Sequence, residues 1–75
     1  MPETPKVTPR EMVRALERAG FVPDRQKGSH LTLLHADSRR RTVVSMHSRT
    51  MKVGTIHAIL RQAGLTVEAF IELLK

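Results

Sequence analysis

Lys27-Gly28-Ser29-His30-Leu31-Thr32-Leu33-Leu34-His35 is the stretch whose reading decides the fold. It predicts a strand running roughly from Ser29 to His35 and entered through a glycine. Leu31 and Leu33 recur at the two-residue period of a half-buried strand. Successive side chains of a strand point to opposite faces of its sheet. If the Leu31/Leu33 face is turned to the core, His30 shares the other face with Thr32 and Leu34. It then stands on an open surface beside a serine and a flexible glycine.

Working outward, Phe21-Val22 opens an earlier strand that Pro23 and Asp24 should make short, irregular or an edge strand. Ala36-Asp37-Ser38-Arg39 reads as a hairpin turn. The third strand follows through Arg41-Thr42-Val43-Val44-Ser45-Met46, with two β-branched residues at its centre. Before the strands, Thr8-Pro9-Arg10-Glu11 is a capping box with proline at the first helical position. Met12, Val13, Leu16 and Ala19 make that helix's apolar stripe, and Gly20 stops it. After the strands, His47 to Val53 reads as a polar connection. A second helix is expected from Gly54-Thr55, capped by Thr55, with Ile56, Ile59, Leu60 and Ala63 buried. Gly64-Leu65 ends it. Thr66 caps a third helix with Val67, Phe70, Ile71 and Leu74 on its stripe and Leu73 off it. The order α-β-β-β-α-α predicts an α+β domain, a three-stranded antiparallel sheet with helices packed on one face. Residues 1–6 read as a flexible tail and residues 7–75 as one domain.

A chain of 75 residues makes a single small domain. Such a domain buries roughly 60% of its unfolded surface, so its core supplies little surplus stability and a partner can matter. The absence of cysteine removes disulfides, thiolate metal sites and thiol catalysis, and fits a reducing, cytoplasmic setting. No apolar run approaches a membrane span or a signal-peptide core. The formal charge is +6, and its location is informative. Arg25, Lys27, Arg39, Arg40, Arg41, Arg49 and Lys52 face only Asp37 within the window from 25 to 52, while charges outside it cancel. A basic block inside an otherwise neutral domain points to a polyanion, most often nucleic acid. Membrane phosphate fits less well, because the block lies on strands rather than on an amphipathic helix.

The Lys27-Gly28-Ser29-His30 strand start, the His35-Ala36-Asp37-Ser38-Arg39 hairpin, Val43-Val44-Ser45-Met46-His47, and Gly54-Thr55-Ile56 through Ile59-Leu60-Arg61-Gln62-Ala63-Gly64-Leu65-Thr66 together resemble the HicA (YcfA-like) toxins. The segment through Gln62-Ala63-Gly64-Leu65, at its distance from His30, is the specific part of the match. The resemblance implies a double-stranded-RNA-binding-domain-like fold. It also implies an mRNA-cleaving toxin of a toxin–antitoxin system and a cognate HicB-type antitoxin that covers the active site. The family's catalytic histidine corresponds to His30. Leu31 stands where the family often has a second histidine, Ala36 and Ser38 where its hairpin usually carries proline and glycine, and Ser45 where a proline is common.

RNA can be cut without a metal when its own 2′-hydroxyl attacks the adjacent phosphorus. A base must take the hydroxyl proton, and cations or hydrogen-bond donors must hold the charge that develops on the phosphate. Imidazole is the side chain suited to that base at neutral pH. His30 is the candidate base, with Lys27 and Arg41 expected as neighbouring cations. The candidate RNA contacts are Lys27, Ser29, Arg39, Arg41, His47, Arg49 and Lys52. His47 could return beside His30 to protonate the leaving oxygen, or be a plain loop residue. His35 falls on the opposite face, and His57 is expected to be an exposed helix residue. No pair of histidines has the H-x-x-x-H spacing of a zinc helix and no acidic cluster suggests magnesium, so neither metal nor cofactor is expected. The only aromatics, Phe21 and Phe70, sit at core-like positions, so bases cannot be stacked on exposed rings.

Two rival functions share these features: a non-catalytic nucleic-acid-binding module and a protein-binding subunit. A helix-turn-helix around Ala63-Gly64-Leu65 is disfavoured. Its would-be recognition helix, Val67 to Lys75, carries Glu68 and Glu72 against one lysine, and phosphate repels it.

Overall fold

The computed structural model describes residues 3–47 and 49–75. Helix α1 (Pro9–Arg18) is followed by strands β1 (Phe21–Lys27), β2 (His30–His35) and β3 (Arg41–Ser45). Helices α2 (Val53–Ala63) and α3 (Val67–Leu74) complete the chain. The sheet is antiparallel in the order β1-β2-β3, so the central strand is the one that carries His30. This is the expected α+β arrangement.

The local signals act as the residues dictate. Thr8 Oγ1 accepts the Glu11 N–H at 3.2 Å while Glu11 Oε1 accepts the Thr8 N–H at 2.8 Å, closing the capping box. Met12, Ala15 and Leu16 bury the inner face of α1, with Val13 and Ala19 partly buried against the core. Ile56, Ile59, Leu60 and Ala63 bury α2 as the stripe predicts. Thr66 caps α3 by accepting the Ala69 N–H at 3.0 Å. Phe21 and Phe70 are both in the core.

Four details depart from the sequence reading. Helix α2 begins at Val53, because Ile56 N–H already donates to the Lys52 carbonyl at 3.0 Å; Lys52, not Thr55, is its N-cap, and no side chain caps it. The connection before α2 is not wholly polar. Met51 is buried, and its N–H donates to the Val7 carbonyl at 2.8 Å, tying the start of the domain to the start of α2. On α3 it is Leu73, not Ile71, that packs against the core beside Val67, Phe70 and Leu74. The end of that helix is fixed from outside, since Arg18 Nη1 donates to the carbonyls of Leu73 at 2.7 Å and Lys75 at 3.2 Å. Finally, β1 is irregular, as Pro23 and Asp24 suggest, but it runs seven residues as an edge strand.

All three helices serve one face of the sheet. Leu33 and Val44 have no exposed surface, and Leu31 is half-buried against the same core. Thr42 lies among them at 1% exposure, its hydroxyl satisfied by donation to Gln62 Oε1 on α2 at 2.7 Å. A buried hydroxyl without such a partner would cost about 1–3 kcal/mol. Among the described residues, none of the helices covers the opposite face of the sheet.

Candidate nucleic-acid interface

The open face is built by register. Lys27 pairs with His30, and His30 with Ser45, which sets these three side chains in one row across the sheet. The next row is Arg25, Thr32 and Val43. The third is Val22, Leu34 and Arg41. The exposed large apolar side chains among the described residues, Val22 at 55% and Val43 at 43%, both lie here. Leu34 is half-buried and takes no part in the core.

A bulge puts the cations of β1 on this face. Counting by twos from the buried Phe21 would place Pro23, Arg25 and Lys27 against the helices. The pairing instead steps from Pro23↔Leu33 to Arg25↔Thr32, leaving Asp24 without a partner. One extra residue in one strand inverts the facing of everything after it. Phe21 therefore enters the core while Arg25 and Lys27 stand outside.

His30 sits at the hairpin tip. Gly28 and Ser29 are the two loop residues between paired Lys27 and His30, and Gly28 has φ +60°. A positive φ at the first loop position alone is the type II′ pattern, whose twist matches the flanking strands and which favours glycine there. On the other side, Met46 N–H donates to the Ser29 carbonyl at 2.7 Å and His35 N–H to the Arg40 carbonyl at 2.9 Å. Hydrogen-bonded and non-bonded pairs alternate along an antiparallel ladder, so His30↔Ser45 falls in the non-bonded class. There, Cα atoms come within about 4.5 Å and side chains are closest; the Lys27↔His30 pair is of the bonded class, at about 5.5 Å. His30 is exposed, between an ammonium and a hydroxyl.

The remaining candidates are placed as follows. Lys27 is a direct neighbour of His30. Arg41 is not: it shares the face but lies two rows away, about 13 Å along the strand. Ser29 is half-buried in the turn, its carbonyl taken by Met46. His47 is exposed in the turn that leaves β3 at the His30 end of the sheet. Arg49 and Lys52 are exposed on the connection beyond it, outside the three rows. Arg39 is exposed in the hairpin at the far end, with φ +63°. Arg40 is engaged elsewhere, its Nη1 donating to the Gln62 carbonyl at 3.4 Å near the C-terminal end of α2. Arg25 and Ser45, which complete the rows around His30 and Thr32, are the residues that sequence reasoning missed. The Pro23-Asp24 pair signalled an irregularity, but only the pairing shows which way it turns Arg25.

His35 occupies the helix-facing side. Its ring meets Phe21 edge-on at a centroid distance of 5.1 Å, its Nδ1 accepts the Ser38 N–H at 3.2 Å, and its Nε2 lies 2.8 Å from where a Cβ on Gly20 would stand. His57 is exposed on α2, with its Nε2 2.7 Å from the Thr4 hydroxyl. Among the described residues no group of three or more His, Cys, Asp or Glu side chains converges on a metal-sized site. None of the described helices is long and apolar enough to cross a membrane.

A family model described as the HicA toxin of bacterial toxin–antitoxin systems matches residues 9–65, from the first residue of α1 into the connection between α2 and α3. A search among curated proteins finds no significant match.

Proposed function

Because the chain belongs to the HicA toxin family of bacterial toxin–antitoxin systems, we propose that it acts as an endoribonuclease on mRNA, with His30 as general base. The observation that carries this reading is the exposed His30 between Lys27 and Ser45 on an open cationic sheet face. His30 takes the proton of the 2′-hydroxyl. The 2′-oxygen attacks the adjacent phosphorus, the bond to the 5′-oxygen breaks, and the products are a 2′,3′-cyclic phosphate and a 5′-hydroxyl. Lys27 is the nearest cation to the developing phosphate charge, where a positioned donor acts most strongly. The leaving 5′-oxygen takes its proton from water or from His47, which the chain brings to the same end of the sheet.

Family membership implies an antitoxin partner. In this reading the partner is a HicB-type protein that covers the His30 row, and the protein works in the cytoplasm, where mRNA is. Binding of the native state alone also raises its stability by mass action. Ser29 contributes an RNA contact beside the base, Arg41 and Arg39 contribute contacts farther along the sheet, and Arg49 and Lys52 contribute contacts off it.

The test is cleavage of an mRNA fragment in the presence of EDTA, with end-group analysis of the products. Cyclic or 3′-phosphate ends, and their loss in His30→Ala, support the mechanism. Products ending in a 3′-hydroxyl, or undiminished cutting by His30→Ala, overturn it. RNA binding without any cutting favours the non-catalytic module.

A further inference from the structure

The three rows of the open face carry one cation each: Lys27 beside His30, Arg25 beside Thr32, and Arg41 beside Leu34. Rows on one face are two residues apart, about 7 Å. A single-stranded polynucleotide extended along β2 likewise presents one charge per nucleotide step. The face is three strands wide, about 10 Å between the outer two, which accommodates one strand and not a duplex. Between the cations lie Val22, Leu34 and Val43, an apolar floor outside the core that sugars and base faces can cover. Apolar side chains rimmed by cations are a composition that interaction surfaces share.

The rows are not symmetric about His30. It stands in the terminal row, and beyond it the sheet ends at the Gly28-Ser29 turn. We propose that Arg25 and Arg41 form two phosphate subsites, with Lys27 at the scissile phosphate, in a single-strand track that extends from His30 in one direction only. This assignment rests on the RNA-cleaving reading and adds to it a footprint of about three nucleotides on one side of the cut, set by the number of rows. Arg49 and Lys52, off the sheet, have no place in the track.

On the proposed mechanism the His30→Ala protein binds without cutting, which allows the track to be measured alone. Fluorescein-labelled oligouridylates of one to six nucleotides serve as probes, read by anisotropy at low salt. Affinity should rise with each nucleotide to about three and then level off. Adding Arg25→Ala or Arg41→Ala should weaken hexamer binding about five- to tenfold each. Each change should also lower the log–log salt slope by about 0.7, the single-strand value per phosphate. Arg25→Lys should restore most of the loss, and Arg10→Ala with Arg14→Ala on α1 should change nothing. In the unaltered protein, DNA oligomers holding one ribonucleotide should show a falling KM as they are lengthened on one side of the cut, and no change on the other. Equal gains from both sides, or binding indifferent to Arg25 and Arg41, overturn the track. The two readings fail separately: oligomers cut normally by Arg25→Ala/Arg41→Ala with unchanged KM remove the track and leave the nuclease. Oligomers bound through these arginines but never cut by the unaltered protein remove the nuclease and leave the track.

Discussion

Two histidines lie five residues apart on the central strand and meet opposite fates. His35 faces the helices, where it touches Phe21, accepts the Ser38 N–H and fills the space over Gly20. His30 faces outward, with no side-chain hydrogen-bond partner among the described residues, between Lys27 and Ser45. One imidazole is used as a packing and turn-closing group. The other is left accessible where charge has been gathered. The same strand thus divides its labour by parity: Leu31, Leu33 and His35 hold the fold, and His30, Thr32 and Leu34 present a surface. His30 is set apart from His35 less by its neighbours in sequence than by what the fold leaves unsatisfied around it.

The sharpest way to break this comparison is to exchange the losses. His30→Ala should lower RNA cleavage by two or more orders of magnitude, the usual scale for a general base. Its melting temperature should stay within about two degrees of the parent, because an exposed side chain contributes little packing. A large fall in stability, seen by circular dichroism, would show that His30 is structural after all.

Adjacent leucines give the next contrast. Leu33→Ala opens a cavity in the core and should cost about 2–5 kcal/mol, enough to unfold much of a domain this small. Leu34→Ala, one residue on but outside the core, should cost under about 1 kcal/mol. Chemical denaturation of the two variants checks the parity directly, and comparable losses would refute it.

His35→Ala should lower stability by about 1–2 kcal/mol, through the lost aromatic contact and the turn N–H left without its acceptor. Cleavage per folded molecule should be unchanged. A specific activity that fell with this variant would mean that the two faces are coupled.

The smallest expected effect is a gain. Arg39 holds a left-handed backbone that costs a non-glycine residue roughly 1–2 kcal/mol. Glycine's greater freedom in the unfolded chain offsets about 0.5–1 kcal/mol of that, so Arg39→Gly should raise the melting temperature by about 2–8 °C for a domain this size. RNA affinity should drop only modestly, because Arg39 lies outside the rows of the sheet. A melting temperature that does not rise would show that the Arg39 side chain holds the hairpin.

Much of the molecule was legible before any coordinates. The capping box at Thr8, the stripe of α2, the Thr66 cap and the alternation of Leu31 and Leu33 are local signals, each read within one turn or one strand. They specify the element order, the buried face of β2 and the outward facing of His30. The confinement of the positive charge to residues 25–52 is likewise a property of the chain. What surrounds His30 is not local. Ser45 becomes its neighbour through strand pairing across fifteen residues, and Arg41, close in the same basic block, is carried two rows away by that register. Arg25 and Lys27 reach the open face only because Asp24 is left unpaired, and a single unpaired residue reverses the parity on which any count along the strand depends. Sequence periodicity marks the wet side of a regular strand such as β2; in the bulged β1, and for which wet side chains stand together, pairing between strands decides.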